Sequence, residues 1–235
     1  MINCPNCGSS SGIDCHGRNF CHACHKDFNN KDLIKKDRPQ NRLELPEWDP
    51  LAIFPKEAEN YLNTYHLIRT LDMFWSSVYN RLCFPYYAIK SQLQQTQTMI
   101  GCWMRDITNQ SSRKWLYAGM PKSEYNWVYH TDPEDDRGHE TASLCIVEDC
   151  ISALRVSKHM DCLSLGGTSW NTTILYPLLK EYDDIYIFLD NDDAGHRAMQ
   201  KFIKEFNLLI KIHRIRGLKD PKLYTDTELE ETLFK

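Results

Sequence analysis

The sequence contains no long apolar run. A bilayer-crossing helix needs about 18–20 uncharged apolar residues, and no segment of the 235 residues approaches that length. The first residues also lack the charged and then apolar pattern of a secretory signal. Positive charge is not in excess, because 28 Lys and Arg face 32 Asp and Glu. We therefore expect a soluble, cytoplasmic protein without membrane contact, whose surface attracts nucleic acid only locally.

The cysteine pattern is not that of a disulfide-rich secreted protein. Six of the ten cysteines are scattered singly, and the other four form two Cys-x-x-Cys pairs with 13 residues between them. Two chelating turns so close together predict a structural zinc site of four thiolates with no open position for water. A redox-active pair is the alternative, and the second pair disfavours it. The predicted zinc ligands are Cys4, Cys7, Cys21 and Cys24.

The loop between the two cysteine pairs carries one cationic side chain, Arg18, beside Asn19 and Phe20. Because fewer than 30 residues bury little core, we expect zinc to fold this segment. A cation with polar and aromatic neighbours is typical of surfaces that read exposed bases. A solvated loop without a ligand is the alternative interpretation.

The chain as a whole predicts an α/β fold in several parts. The first part is the small N-terminal zinc ribbon, and a charged segment with little to bury follows it as a linker. An α+β basic subdomain comes next, with one amphipathic helix and several antiparallel strands. A Rossmann-like subdomain with a mainly parallel sheet completes the chain. The predicted bounds are 1–28 for the ribbon, 29–42 for the linker, 43–140 for the first subdomain and 141–235 for the second.

The parallel sheet is predicted from short apolar runs that alternate with helix-length segments. Residues 226–235 predict a closing helix or a frayed tail. In the preceding subdomain we expect a helix over 57–70 and strands over 82–89, 99–107 and 114–118. In the last subdomain we expect strands over 144–147, 161–165, 185–189 and 209–215, and helices over 151–160, 172–182 and 194–206.

Two of the predicted parallel strands end in carboxylates. Glu148 follows the first of these strands, and Asp190, Asp192 and Asp193 follow the third. The carboxyl ends of parallel strands meet at one edge of a sheet, where ligands bind. Clustered carboxylates repel one another unless a cation neutralises them, so we predict magnesium bound by Glu148, Asp190, Asp192 and Asp193. In the alternative, Asp192 or Asp193 only caps the following helix.

Two further segments are expected near the same edge. A glycine turn at 165–169 offers backbone amides to a phosphate, although such a turn alone is a weak signal. The dipeptide Lys219-Asp220 follows the fourth strand and adds a charge pair.

With these motifs in place, the chain resembles the toprim-type DNA primases, in particular the primase half of phage and mitochondrial primase-helicases. The motifs that carry the resemblance are the two cysteine pairs, the strand that ends in Glu148, the Asp-x-Asp-Asp-Ala-Gly segment 190–195, and Lys219-Asp220. The resemblance implies a toprim fold for the last subdomain. It implies catalytic roles for Glu148, Asp190, Asp192, Lys219, Asp220 and Arg105, and nucleotide or DNA binding by Arg18, Arg105, Arg113 and Lys114.

The chain departs from the family pattern at one motif. The family reads Glu-Gly-x-x-Asp-Ala, whereas this chain has Asp149 in place of the glycine and Ser152 in place of the aspartate. One supporting carboxylate is therefore missing or displaced to Asp149, which leaves the number of magnesium ions open. The sequence also has no Gly-x-x-x-x-Gly-Lys-Ser/Thr phosphate loop, so we expect no helicase motor in it.

The resemblance implies a primase that copies single-stranded DNA into short RNA primers from ribonucleoside triphosphates. The reaction would be a magnesium-dependent nucleotidyl transfer in which Mn²⁺ can substitute, and the zinc ribbon would recognise the template. A separate replicative helicase is the expected partner, in the host cytoplasm if a phage encodes the chain. The alternatives are a non-catalytic DNA-binding protein of the recombination-mediator type and a toprim nuclease.

Overall fold

The computed structural model describes most of the chain in separate ranges. The ranges are 12–15, 18–21, 26–28, 43–47, 53–69, 73–91, 94–120, 125–130 and 142–234, with backbone alone for the first three and for 87–91 and 94–98. The chain divides into two units, Met1–Arg42 and Leu43–Lys235. In the ranges described, no helix has the length and apolar character that a membrane crossing requires.

The backbone of the first unit contains a three-stranded antiparallel sheet. Its strands in order are β1 (Gly12–Cys15), β2 (Arg18–Cys21) and β3 (Lys26–Phe28). The predicted base-reading residue Arg18 and the predicted zinc ligand Cys21 begin and end the middle strand. The other three predicted ligands, Cys4, Cys7 and Cys24, and the predicted linker over 29–42 lie outside the described residues. The zinc site therefore stays a prediction.

The second unit begins with one helix and a four-stranded antiparallel sheet. Helix α1 spans Lys56–Thr64. The strands, in sheet order, are β4 (Phe74–Ser76), β5 (Arg81–Ser91), β6 (Gln94–Arg105) and β7 (Trp115–Gly119). The pairing of β6 with β7 sets Trp103 opposite Tyr117 and Arg105 opposite Trp115. Large aromatic side chains therefore accompany Arg105 at the end of β6.

The rest of the unit forms a five-stranded sheet with the order β12-β11-β9-β10-β8. All strand pairs are parallel except the antiparallel pair of β8 and β10. The strands are β8 (Trp127–Tyr129), β9 (Ser143–Val147), β10 (Asp161–Ser164), β11 (Asp184–Ile187) and β12 (Ile212–Arg214). The helices are α2 (Cys150–Val156), α3 (Thr172–Leu179), α4 (Asp193–Phe206) and α5 (Asp226–Leu233), and a single 3₁₀ turn spans Pro221–Leu223.

The strand order places the point of topological reversal between β9 and β11. From β9 the chain passes through α2 to β10 on one side, then through α3 to β11 on the other side of β9. Successive crossovers therefore leave the sheet in opposite directions at the ends of β9 and β11. In open parallel sheets the crevice at such a point is where ligands bind.

Helices cover both faces of the parallel sheet. On one face, α3 and α4 pack against β9 and β11 through buried residues that include Leu179 and Phe202. On the other face, α2 and α5 pack through Ala153, Val156 and Leu229. This arrangement explains why four of the five residues of β9 are buried. Burial of apolar surface is the main favourable term that holds these layers together.

Helix α2 lies between the two sheets. Its residues Cys150 and Ile151 share an apolar cluster with Leu82 and Phe84 of β5 and with Leu62 of α1. The opposite side of the same helix faces the parallel sheet. The helix that begins just after Glu148 therefore fixes the antiparallel sheet against the parallel sheet.

The mixed α/β architecture with a mainly parallel second sheet is confirmed, and each predicted strand and helix has a counterpart. The predicted helix over 57–70 ends earlier, at Thr64, because His66 adopts a left-handed backbone with φ of 54°. Strands β4 and β8 were not predicted, since three residues carry too little periodicity. Strand β8 belongs to the predicted first subdomain but pairs with β10. The predicted boundary at 140 lies outside the described residues.

Buried Arg155 on α2 joins distant parts of the unit. Its guanidinium donates to the carbonyl oxygens of His66 and Tyr224, at 2.8 Å each, and lies 2.5 Å from Asp226. Its side chain is fully buried. Arg155 therefore links the turn after α1 to the segment that precedes α5.

We expect Arg155→Met to destabilise the protein by about 3 kcal/mol, because the carbonyls of His66 and Tyr224 lose a buried charged donor and Asp226 loses a buried ion-pair partner. Lys158→Met is the matched control, since Lys158 also contacts His66 and Asp226 but is exposed. That change should cost less than about 1 kcal/mol. Urea unfolding measures both variants, and equal losses would contradict the role assigned to Arg155.

Candidate active site

The carboxylates at the strand ends meet where the topology predicts. Glu148 directly follows β9, and Asp190 comes three residues after the end of β11. The intervening residues Phe188 and Leu189 are buried, and the Phe188 amide donates to the carbonyl of Ile146 on β9. Through this hydrogen bond, the residues that follow β11 continue alongside β9, and Asp190 therefore lies at the same rim as Glu148.

Glycine is required at one position beside this rim. Gly195 lies in the first turn of α4, and a Cβ there would collide with the carbonyl oxygen of Asp190. The Asp-x-Asp-Asp-Ala-Gly segment therefore ends in glycine because the first turn of α4 packs against the backbone of Asp190.

Lys222 lies at the centre of the acidic rim. Its ammonium nitrogen is 2.8 Å from Asp149 Oδ2, 2.6 Å from Asp190 Oδ2 and 3.3 Å from Asp220 Oδ2. Burial opposes its charge, but the nearby carboxylates of Asp149 and Asp190 outweigh burial and raise the pKa of Lys222. The lysine is therefore charged and neutralises part of the cluster.

Two buried carboxylate oxygens at this rim accept no hydrogen bond within the described part of the chain. They are Glu148 Oε2 and Asp190 Oδ1. Burial, followed by the negative charges of Asp190 and Asp192, raises the pKa of Glu148 to about 7. Burial also raises the pKa of Asp190 to about 6, although its hydrogen bond from Lys222 acts in the opposite direction. Unpaired buried oxygens of this kind are suited to bind a cation.

Asp149, which stands where the family has glycine, has two contacts. Its Oδ1 accepts a hydrogen bond of 2.8 Å from the Ser152 amide and so caps α2, and its Oδ2 binds Lys222. The capping interaction fixes the side chain at the start of the helix. A carboxylate is therefore present at the rim although the aspartate expected at position 152 is absent.

The other two predicted acidic ligands are exposed. Asp192 caps α4, with its Oδ1 2.7 Å from the Gly195 amide, and Asp193 is the first residue of that helix. The capping interpretation therefore accounts for one oxygen of Asp192. Among the residues that the structure describes, no three His, Cys, Asp or Glu side chains are arranged to hold a metal ion together. Glu148 and Asp190 are the residues whose unpaired oxygens fit a divalent cation.

The Lys219-Asp220 motif divides between two environments. Asp220 Oδ1 accepts from the Asn191 amide at 2.9 Å, which places Asp220 beside the acidic segment. Lys219 instead lies 2.8 Å from Glu228 on α5 and 4.6 Å from the ring centre of Tyr224. Lys222 therefore occupies the position at the carboxylates that the sequence interpretation gave to Lys219.

The sequence interpretation missed Lys222, and it named Asp149 only as a possible replacement for a missing carboxylate. Lys222 reaches the rim because Pro221 begins a single 3₁₀ turn, closed by a 2.9 Å hydrogen bond from the Leu223 amide to the Asp220 carbonyl. Proline with its fixed φ favours the start of such a turn. The Asp-Pro-Lys order after the fourth strand is the signal that was available.

An aromatic and basic wall from the antiparallel sheet faces the acidic rim across a cleft of about 400 Å³. Arg105 lies 5.2 Å from the ring centre of Trp115 and 5.5 Å from that of Tyr61. Its Nε is buried without a hydrogen-bond partner in the described part of the chain. The cleft is lined by Trp103, Arg105, Lys114, Trp115, Glu148, Asp149, Cys150, Gly166, Gly167, Asp190 and Lys222.

The remaining predicted nucleotide-binding residues differ in their placement. Lys114 lines the cleft, whereas exposed Arg113 is not among its lining residues. The main chain at both positions is held by Arg81, which donates to the carbonyls of Arg113 and Lys114 at 2.9 and 3.1 Å. The side chain of Arg18 lies outside the described residues.

The glycine turn after β10 forms another edge of the cleft. The Gly167 amide donates to the Glu148 carbonyl at 2.9 Å, and Gly167 has φ of 134°. Only glycine adopts that backbone without strain. The turn is thereby fixed beside the first carboxylate, as the sequence predicts.

Comparison with known proteins identifies the domain and the fold. Residues 145–225 match the family model described as Toprim-like. No curated protein sequence matches the chain. The zinc-binding and RNA polymerase domains of Aquifex aeolicus primase align with a TM-score of 0.50 and 20% identity, over 74% of this chain and 44% of that one. The chain thus spans less than half of that structure.

Two other primase structures have similar alignments. The primase fragment of the bacteriophage T7 primase-helicase aligns with 18% identity and a TM-score of 0.49, over 99% of this chain and 96% of that one. A DnaG primase catalytic domain bound to single-stranded DNA aligns with 16% identity and a TM-score of 0.49, over 81% and 62% of the two chains. The toprim part of the resemblance is thus confirmed for residues 145–225, and the fold of the chain is similar to that of the zinc-binding and RNA polymerase domains of Aquifex aeolicus primase.

Proposed function

We propose that this chain is a DNA primase that makes short RNA primers on single-stranded DNA by nucleotidyl transfer. The observation that carries the proposal is that one cleft has carboxylates on one wall and a cationic, aromatic surface on the other. A nucleoside triphosphate needs both, because its phosphates bind cations and its base stacks on aromatic rings. The fold shared with Aquifex aeolicus primase domains supports the same proposal.

We propose Mg²⁺ as the catalytic cofactor, with Mn²⁺ as a substitute. Glu148 and Asp190 would hold it through their unpaired buried oxygens, and Asp192 keeps one carboxylate oxygen outside its capping bond. A bound divalent cation supplies positive charge to the phosphates and activates the attacking hydroxyl. Exposed Asp193 is the most peripheral of the predicted ligands.

Side chains of this protein would bind and orient the nucleotide. Arg105 and Lys114 project into the cleft as cations for the triphosphate, and the rings of Trp103 and Trp115 provide surfaces for base stacking. Arg105 has no carboxylate partner in the described part of the chain, so its charge is available to phosphate oxygens. Arg113, which is exposed and directly precedes Lys114, would contact the template.

The first unit would recognise the template. We propose that Cys4, Cys7, Cys21 and Cys24 bind a structural zinc ion and that Arg18 contacts exposed bases. Ribonucleoside triphosphates and single-stranded DNA are the proposed ligands, and a separate replicative helicase is the proposed partner. Because the net charge of the chain is −4, its own affinity for DNA should be modest and sensitive to salt.

Primer synthesis tests the proposal. The full chain, Mg²⁺, labelled ribonucleoside triphosphates and a panel of single-stranded DNA templates should yield short labelled RNA. Glu148→Gln and Asp190→Asn should each lower the yield about 100-fold or more, since each removes a negative charge that binds the cation. Asp183→Asn is the matched control, because Asp183 is exposed and precedes β11 at the opposite end of the strand.

The same assay separates the alternatives. Intact templates that bind the protein without any labelled RNA would favour the recombination-mediator type. Shortened templates would favour a toprim nuclease. Unchanged synthesis by both site variants would show that the carboxylate rim is not the catalytic centre.

The raised pKa of Glu148 predicts a pH-dependent effect on stability. Because burial raises this pKa to about 7, the neutral form is favoured by folding. The associated stability is complete below the ordinary glutamate pKa of about 4.3 and is lost as pH rises through 7. The full shift corresponds to about 3.4 kcal/mol, and solvent screening of this partly exposed side chain reduces it. Glu148→Gln, which cannot ionise, should therefore be more stable than the parent by about 2 kcal/mol at pH 8 and nearly equal to it at pH 4.5.

Urea unfolding in magnesium-free buffer measures this difference at the two pH values. Glu181→Gln is the control, because Glu181 is exposed and remote from the rim. A stability difference for Glu148→Gln that does not change with pH would contradict the buried, unpaired state of this carboxylate.

A further inference from the structure

Lys222 occupies a position where a cation bridges two carboxylates. Its ammonium nitrogen lies 2.8 Å from Asp149 Oδ2 and 2.6 Å from Asp190 Oδ2. Only 15% of the side chain is exposed, so solvent does not screen these contacts strongly. Lysine is a compact point charge with three donors, and here it donates to Asp149 and Asp190 and forms an ion pair of 3.3 Å with Asp220.

The two carboxylate oxygens of Asp190 have different surroundings. Its Oδ2 accepts from Lys222, while its Oδ1 is buried and accepts nothing in the described part of the chain. Glu148 Oε2 is the second buried oxygen without a partner. One side of Asp190 is therefore neutralised by the protein itself, and the other side is left for an external cation.

We propose that Lys222 replaces one of two divalent cations, so that this cleft binds a single divalent cation, which Glu148 and Asp190 would hold. The inference rests on the proposed function, because it concerns the cofactor of the same site. Lys222 acts as a positioning residue, since it holds Asp149 and Asp190 in place and contributes charge without binding the reacting phosphate.

A fixed ammonium group excludes a second divalent cation by both space and charge. Its nitrogen already lies at hydrogen-bond distance from Asp149 Oδ2 and Asp190 Oδ2, so neither oxygen is available to a second ion. A positive charge a few Å away also weakens binding of any further cation. Asp149 in place of the family's glycine provides the second carboxylate that fixes the lysine.

Counting bound Mn²⁺ tests the proposal without reference to activity. The zinc-loaded full chain is titrated with Mn²⁺, and the free ion is measured by electron paramagnetic resonance. We expect one site for the parent chain and for Lys222→Arg. Lys222→Ala should bind a second ion and should bind the first about tenfold more tightly. Glu148→Gln should lose the single site or weaken it about tenfold or more.

Lys211→Ala is the matched control, because Lys211 also pairs with an aspartate, Asp184, at 2.6 Å but lies at the start of β12 and away from the rim. It should retain one site of unchanged affinity. If Lys222→Ala does not fold, Lys222→Gln removes the charge with less change in volume, and the count for the parent chain still decides.

Two ions bound by the parent chain, or none, would overturn the proposal, and so would an unchanged count and affinity in Lys222→Ala. These outcomes differ from failure of the proposed function. Primer synthesis with two bound ions would refute only the role of Lys222 and would leave the primase assignment intact. One bound ion without primer synthesis would refute the primase assignment and leave the cation site intact.

Discussion

The structure depends on a concentration of negative charge at the ends of two adjacent parallel strands. Strands β9 and β11 lie side by side at the topological reversal and bring Glu148 and Asp190 to one partly buried rim. Buried like charges are unfavourable without a counter-ion. Lys222 provides one counter-ion from within the chain, and the two unpaired oxygens that remain are those that would hold the proposed metal ion.

Helix α2 connects this rim to the rest of the unit. It starts immediately after the first carboxylates, packs against both sheets and carries buried Arg155. The same helix therefore sets the distance between the acidic rim and the wall that bears Arg105. A cleft of about 400 Å³ results, with opposite charge on its two sides.

The sequence predicted the parts of the site that follow from periodicity and strand ends. Apolar runs that end in Glu148 and Asp190 sufficed to place both residues at one rim. It could not predict that Lys222, and not Lys219, reaches the carboxylates, because this depends on one 3₁₀ turn at Pro221. The pairing of the three-residue strand β8 with β10 is likewise a tertiary choice with no local signal.

A double-mutant cycle for binding of a ribonucleoside triphosphate with Mg²⁺ tests most directly whether the two walls of the cleft form one site. Calorimetry would compare the parent chain, Arg105→Met, Glu148→Gln and the double variant. If both walls bind one ligand, the losses of binding free energy should be coupled by about 1 kcal/mol or more. Losses that add to within about 0.5 kcal/mol would mean that the two walls act independently, which would contradict a single site across the cleft.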